Sequence, residues 1–311
     1  MKGVVIKSTG SLCQVLFSNK TYSCKVKGKT RLEDIEFTNP ISVGDSVEFS
    51  FDFKNNIGTI DKIYNRKNYI IRKSVNLSHK SQIIASNIDL ALLIITINNP
   101  ITSLNFIDRF LIQTEAYGIE SILLFNKVDL YDDKSKKKKI KYEKIYKSIG
   151  YKTFSTSIYD LKSISKVVKL IKNKVSVFTG HSGVGKSSLI NLIDANLNLK
   201  TQHISNYHKQ GVHTTTYAEM FPLYFGGFII DTPGIRGLGL VDIDTNILSG
   251  YFPEMLQASK KCKFHNCSHV KEPGCNVLKN VLDGIITKSR YNNYLSMLEK
   301  NTNYRKNNYE L

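Results

Sequence analysis

Residues 175–188 read Val175-Ser176-Val177-Phe178-Thr179-Gly180-His181-Ser182-Gly183-Val184-Gly185-Lys186-Ser187-Ser188. The run 175–178 has the composition of a short buried strand. Gly180 to Ser187 then fits G-x-x-x-x-G-K-[ST], and an apolar helix opens at Ser188 and runs to Ile193. The glycines let backbone N–H groups close around phosphate oxygens, and the helix N-terminus adds a positive dipole end. The expected phosphate contacts are Gly180, His181, Ser182, Gly183, Val184, Gly185, Lys186, Ser187 and Ser188. Lys186 is expected to reach the β- and γ-phosphates, and the Ser187 hydroxyl to bind Mg²⁺.

Downstream, Asp231-Thr232-Pro233-Gly234 follows the apolar strand Phe228–Ile230. An acidic residue at that strand end is placed to hold Mg²⁺ through water, and the Gly234 N–H to meet the γ-phosphate. Upstream, Asn126-Lys127-Val128-Asp129 follows the strand 122–125. The Asp129 carboxylate can accept from guanine N1–H and the 2-amino group. Adenine lacks both donors and would leave the desolvated carboxylate unpaired. Asn126 and Lys127 are expected to brace this loop and flank the base. Ser155, in Ser155-Thr156-Ser157, is expected near the guanine O6.

The surrounding rhythm alternates strands and helices. Strands are expected at 88–97, 122–125, 151–154, 175–178 and 228–230, and helices at 104–117, 140–149 and 161–171. This predicts an α/β sheet with helices on both faces. The order of motifs is unusual. The base-reading motif precedes the phosphate loop, and Asp231 comes last, whereas ordinary GTPase domains begin with the phosphate loop. The sheet is the same but is opened before the base-binding strand, a circular permutation.

Before this region, five short strands (4–6, 13–17, 22–26, 47–51 and 58–64) separated by turn residues suit a small barrel, either OB-like or SH3-like. After it, Cys262, His265, Cys267, His269 and Cys275 offer five ligands where tetrahedral Zn²⁺ needs four. The remaining cysteines, Cys13 and Cys24, stand alone. An odd, clustered count argues for a reducing cytoplasm and a metal site over a disulfide framework.

The chain has 311 residues, 41% hydrophobic and 23% charged, which reads as globular and as two or three domains. Lys and Arg number 44 against 26 acidic residues, a net +18 that suits a polyanionic partner. Residues 134–144 (KSKKKKIKYEK) form a charge run, either a solvated face or an RNA contact. Met1–Ile6 has no apolar leader segment, and the longest apolar stretch is far shorter than the ~20 residues of a membrane span. No membrane partner is expected. A monomer is expected, since no heptad stands out. The tail from Asn301 reads as frayed.

The rotated motif order, the N-K-V-D, G-H-S-G-V-G-K-S and D-T-P-G elements and the Cys/His cluster together resemble the ribosome small subunit-dependent GTPase A (RsgA) family, over essentially the whole chain. The resemblance implies an N-terminal OB-fold RNA-binding domain (1–71), a circularly permuted GTPase domain (72–238) and a C-terminal zinc-binding domain (239–311). It also implies GTP hydrolysis to GDP and phosphate, stimulated by the 30S subunit, in late 30S maturation with 16S rRNA contacts. The family pattern C-x4-C-x-H-x5-C selects Cys262, Cys267, His269 and Cys275 as structural zinc ligands and leaves His265 outside.

Gly211-Val212-His213-Thr214-Thr215-Thr216 resembles the family's switch segment, with Thr215 the expected Mg²⁺-closing threonine and Thr214 the alternative. Ile235 stands where many GTPases place a water-orienting glutamine, so slow turnover in isolation is expected. His213 is the candidate to orient or deprotonate the water instead. Two other classes compete: an RNA-binding module whose nucleotide site is only a switch, and a membrane-acting GTPase. A phosphate-loop kinase is disfavoured by N-K-V-D together with D-T-P-G.

Overall fold

A computed structural model of the chain describes residues 1–9, 12–26, 40–73, 81–197, 199, 218–232 and 244–306. In the first 63 residues, β1 (Lys2–Ser8), β2 (Leu12–Phe17), β3 (Lys20–Val26), β4 (Ser46–Asp52) and β5 (Ile57–Ile63) close a ring in the order β1-β2-β3-β5-β4-β1. All pairings are antiparallel except β3–β5. This five-stranded barrel has the OB-like order. Alternating inward side chains, including Val5, Val15, Val47, Phe49 and Ile60, fill its interior. Strand register also sets Cys13 opposite Cys24, both buried in that core.

A hairpin that the sequence reading did not anticipate follows: β6 (Tyr69–Lys73) and β7 (Ser81–Ser86). Its junction with the barrel is pinned by Asp45, which is fully buried. The Asp45 carboxylate accepts from Arg66 Nε and Nη2 (both 2.8 Å), Ser86 Oγ (2.6 Å) and the Ser42 N–H (2.8 Å). A buried charge with four donors is compensated. Removing one partner from such a group costs several times more than an exposed pair contributes.

The central sheet starts at β8 (Leu90–Ile95), whose six residues are all buried, as expected of a parallel strand covered on both faces. The chain then moves outward through α1 (Leu104–Ala116), β9 (Glu120–Phe125), α2 (Asp133–Ser148) and β10 (Lys152–Ser155). After α3 (Leu161–Ile171) it returns to the far side of β8 with β11 (Val175–Gly180), which leads into α4 (Lys186–Ile193). Antiparallel β12 (Glu219–Pro222) and parallel β13 (Phe228–Asp231) complete the order β10-β9-β8-β11-β13-β12, and β12 meets barrel strand β1 at Glu219–Lys7.

The reversal of direction between β8 and β11 sends helices to opposite faces. Ala91, Leu93 and Ile95 pack with α1 and α2, whereas Leu90, Leu92 and Ile94 pack with α3 and α4. Each buried leucine or isoleucine side chain here contributes about 1.5–3 kcal/mol. In open α/β sheets, ligands bind beyond the carboxyl ends of the strands at such a switch point.

Helix α2 begins seven residues before the expected Ile140. Asp132 caps it by accepting from the Ser135 N–H (2.8 Å), and the lysines that follow are good helix formers whose lack of apolar period hid the first turns. Helix α4 likewise starts at Lys186, two residues early.

The C-terminal module comprises α5 (Pro253–Ser259), α6 (Asn276–Leu282) and α7 (Lys288–Lys306). Helix α7 carries residues 301–306, expected as frayed, and 307–311 lie outside the described residues. Ile112 of α1 joins the module's core of Leu248, Phe252, Met255 and Met297. Beside it, buried Arg290 donates to Glu254 (2.7 and 3.1 Å) and to Asp108 of α1 (2.8 Å). Burial works to lower the Arg290 pKa, but the Asp108 and Glu254 carboxylates outweigh it and raise it.

Candidate functional sites

Two loops and the end of β13 come together beyond the carboxyl ends of β9, β11 and β13. The loop after β11 carries the phosphate motif. Gly180, Gly183 and Gly185 all have positive φ (159°, 84° and 91°). At Gly185 a Cβ would come within 2.6 Å of Asn126 Nδ2, so this position needs glycine both for its left-handed conformation and for room. Val184 is fully buried and anchors the loop, and α4 starts with Leu189 N–H bonded to the Gly185 carbonyl (3.0 Å). His181 and Ser182 sit on the half-buried rim. The His181 ring lies against Phe106 of α1, with centroids 3.9 Å apart. Ser187 and Ser188 fall in the first turn of α4.

The loop after β9 is tied to the first by side chains. Asn126, 1% exposed, donates to the Val184 carbonyl (2.9 Å) and accepts from the Thr156 hydroxyl (3.0 Å). Lys127, held at φ 58°, donates to the Gly183 carbonyl (2.6 Å) and the Asn99 carbonyl (3.1 Å). Burial lowers the Lys127 pKa while neighbouring Asp129 opposes the shift. Asp129 lies exposed in a single 3₁₀ turn, Val128–Leu130. Ser155 is half-buried at the end of β10, while Thr156 and Ser157 turn inward.

Two residues brace this loop, one of them, Thr156, from the Ser155-Thr156-Ser157 cluster expected at the guanine and the other, Tyr131, outside every motif. The Tyr131 hydroxyl accepts from the Ile97 N–H (3.2 Å) and donates to the Asn126 carbonyl (2.9 Å). Burial is the main cause that pushes its pKa up to about 12, so it stays protonated and able to donate. Thr156 serves Asn126. Each is a single residue whose bracing role depends on its position between two strand ends; no motif marks Tyr131, and the cluster that contains Thr156 pointed to the base and not to Asn126.

At the end of β13, Asp231 is 3% exposed, and its carboxylate pairs with the Lys186 ammonium, which also donates to the Thr232 carbonyl. The Thr232 hydroxyl donates to the Phe178 carbonyl (3.0 Å), which ties the strand end to β11. The cationic and acidic candidates for phosphate and Mg²⁺ therefore share one point at the switch of the sheet. His213, Thr214, Thr215, Gly234 and Ile235 lie outside the described residues, as does the Gly211–Thr216 segment.

A second site lies between α5 and α6. Cys262, Cys267, His269 and Cys275 bring their ligand atoms within 4.8 Å of one another. Cys262 Sγ and Cys275 Sγ are 4.0 Å apart, and His269 Nδ1 is 3.8 Å and 3.4 Å from them. Ligands about 2.3 Å from a common centre form tetrahedral edges of about 3.8 Å, so this donor set fits a four-coordinate metal ion. Burial pushes the Cys267 thiol up to about 12 and lowers the His269 pKa. The loop is shaped for the task. His269 sits at φ 60°, its carbonyl accepts from Tyr291 (2.8 Å), and Asn276 N–H donates to Cys262 Sγ (3.3 Å). Glu272 gathers the Ser268 N–H (2.7 Å) and hydroxyl and the Val270 N–H (2.9 Å). Although burial opposes it, these bonds hold its pKa down to about 2. His265 is exposed and stands outside the cluster.

Comparisons with known proteins bear on both sites. The model of the RsgA GTPase family matches residues 63–241, and that of the RsgA N-terminal domain matches residues 2–60. The small ribosomal subunit biogenesis GTPase RsgA of Flavobacterium psychrophilum is 51% identical over 302 residues, covering 96% of this chain and 93% of the relative. The protein of that name from Christiangramia forsetii is 49% identical over 315 residues, covering both chains completely. Among solved structures, YjeQ from Thermotoga maritima superposes with a TM-score of 0.76 at 33% identity, over 96% of this chain and 97% of its own. YloQ, described as a circularly permuted GTPase, gives 0.73 at 29% identity, over 97% of this chain and 95% of its own.

Proposed function

This chain belongs to the RsgA GTPase family, and on that premise we propose that it hydrolyses GTP to GDP and phosphate on the small ribosomal subunit during late 30S maturation, contacting 16S rRNA. The observation that carries this reading is the joining of the loops after β9 and β11 through Asn126–Val184 and Lys127–Gly183, with Asp231 and Lys186 paired beside them.

In the proposed mechanism the Asp129 carboxylate selects guanine. Backbone N–H groups from Gly180 to Ser188 receive the phosphates, and Lys186 exchanges its Asp231 contact for the β- and γ-oxygens. Bound Mg²⁺ supplies charge neutralisation at those oxygens, and Ser187, Asp231 and Thr215 are the residues that would hold it. Gly234 donates to the γ-phosphate. Ser155 borders the guanine O6. His213 orients or deprotonates the attacking water when the chain is on the subunit. His213→Ala with full subunit-stimulated turnover would remove that last role.

The cluster of Cys262, Cys267, His269 and Cys275 holds one Zn²⁺ with no open position, which is a structural role. Domains are assigned as 1–71, 72–238 and 239–311. The chain acts as a cytoplasmic monomer, and among the described residues no helix is long and apolar enough to cross a membrane.

The test is GTP against ATP turnover, with and without purified 30S subunits. Stimulated GTP hydrolysis with negligible ATP hydrolysis is expected. Equal use of the two nucleotides, or no turnover on subunits, would overturn the reading.

A further inference from the structure

Helix α2 turns one face inward through buried Tyr142, Ile145 and Tyr146, which fixes what the other face presents. Lys134, Lys137, Lys141 and Lys144 recur at steps of three, four and three residues, so they line one stripe of that outer face over about 15 Å. All four are exposed. The helix's own acidic residues are engaged elsewhere. Glu143 pairs with Lys139 (3.2 Å) and Lys147 (3.7 Å), and Asp133 pairs with Lys136 (3.3 Å). Lys134 lies near the capping Asp132, yet none of the four stripe lysines makes an ion pair among the described residues. Four parallel ammonium groups with no such counter-charge repel one another, a cost that an external polyanion relieves. The stripe carries no aromatic side chain on which bases would stack, so it suits a phosphate backbone and not base reading.

We propose that this lysine stripe is a docking surface for the sugar-phosphate backbone of RNA, a sequence-independent contact that lies directly after the guanine-reading loop. The inference rests on the functional reading above and adds to it the element of the GTPase domain that grips the RNA.

The test uses the full chain. In one variant Lys134, Lys137, Lys141 and Lys144 become alanine. A control variant removes equal charge from the opposite face of the sheet, with Lys162, Lys166, Lys169 and Lys172 changed to alanine. Affinity for purified 30S subunits and for protein-free 16S RNA is measured across a salt series, with GTP binding as the folding check. The stripe variant is expected to weaken both partners at least tenfold and to flatten the log–log salt slope by about three, close to one per lysine. The control is expected to stay within about twofold.

An unchanged slope, equal loss in both variants, or loss on 30S with none on bare RNA would overturn the proposal; the last would assign the stripe to a ribosomal protein. Loss of binding to anionic vesicles with none to RNA would overturn it too. If the unaltered chain itself failed to bind 30S, the functional reading would fall first, which distinguishes the two failures.

Discussion

The phosphate loop and the Cys/His cluster both collect ligand-binding groups at the ends of elements, but they are held in shape by opposite means. Around the phosphate loop the polar groups already have partners. Asn126 spans Val184 and Thr156, Lys127 holds Gly183, and Tyr131 bridges Ile97 and Asn126. That scaffold rests on a sheet whose central strand is wholly buried. In the Cys/His cluster the sulfurs of Cys262 and Cys275 and the His269 imidazole face one another at 3.4–4.0 Å, with the Cys267 sulfur within 4.8 Å of them and a small core behind. Thiols that close are poor hydrogen-bond partners for one another. The first site is preorganised, so losing its ligand costs activity. The second fits a metal ion that would complete it, so losing the proposed ion would cost structure.

The largest effect that would break this contrast concerns the metal. Structural zinc contributes on the order of 10 kcal/mol to the folding of a small module. Removing the proposed zinc with a zinc-selective chelator, or Cys275→Ser, is expected to abolish slow amide exchange across 244–306 and leave GTP affinity within a few-fold. Exchange that stayed slow after metal removal would mean that the cluster stands on its own packing.

Lys186→Ala comes next, with a turnover loss of roughly a thousandfold and little change in the exchange pattern of the C-terminal module. Steady-state kinetics beside exchange measurements would separate the two sites. Asp129→Asn is expected to weaken GTP binding by about a hundredfold, because an amide presents a donor where guanine presents donors. Since Asp129 is exposed, thermal stability should stay unchanged, and calorimetry with GTP, ATP and xanthosine triphosphate reads the selectivity directly.

The smallest effect tests preorganisation itself. Asn126→Ala leaves the Val184 carbonyl and the Thr156 hydroxyl without their partner and is expected to cost about 1–3 kcal/mol in denaturant unfolding. Its kinetic signature should be a raised KM more than a lowered kcat. An unchanged KM would show that the loop is shaped by its nucleotide after all.

Much of the sheet was legible because its central strands are apolar runs bounded by turn-forming residues, as in 175–178 followed by Gly180. The barrel strands were legible through alternation. The hairpin β6–β7 was missed because residues 74–80, between its strands, mix apolar and polar residues (Val75 and Leu77 among Ser, Asn, His and Lys) and carry no two-residue turn signature. The start of α2 was hidden because a lysine run has helix propensity without hydrophobic period. The ligand set of the metal cluster was readable down to five candidates by residue type, but the exposure of His265 is a fact of how the loop turns at His269.

Sequence alone determined the chemistries on offer: a glycine-rich phosphate loop, a carboxylate able to read guanine, an order of motifs that only a permuted sheet accommodates, and a cluster of soft metal ligands. These are local, because the spacing of a few residues carries them. Tertiary structure alone decided which groups answer one another across the chain. It set Tyr131 and Thr156 to brace Asn126, Cys13 opposite Cys24, and Arg290 against Asp108, 182 residues away. Such pairings depend on strand register and helix packing, and a buried polar group takes whatever partner the fold brings within about 3 Å, wherever that partner lies in the sequence.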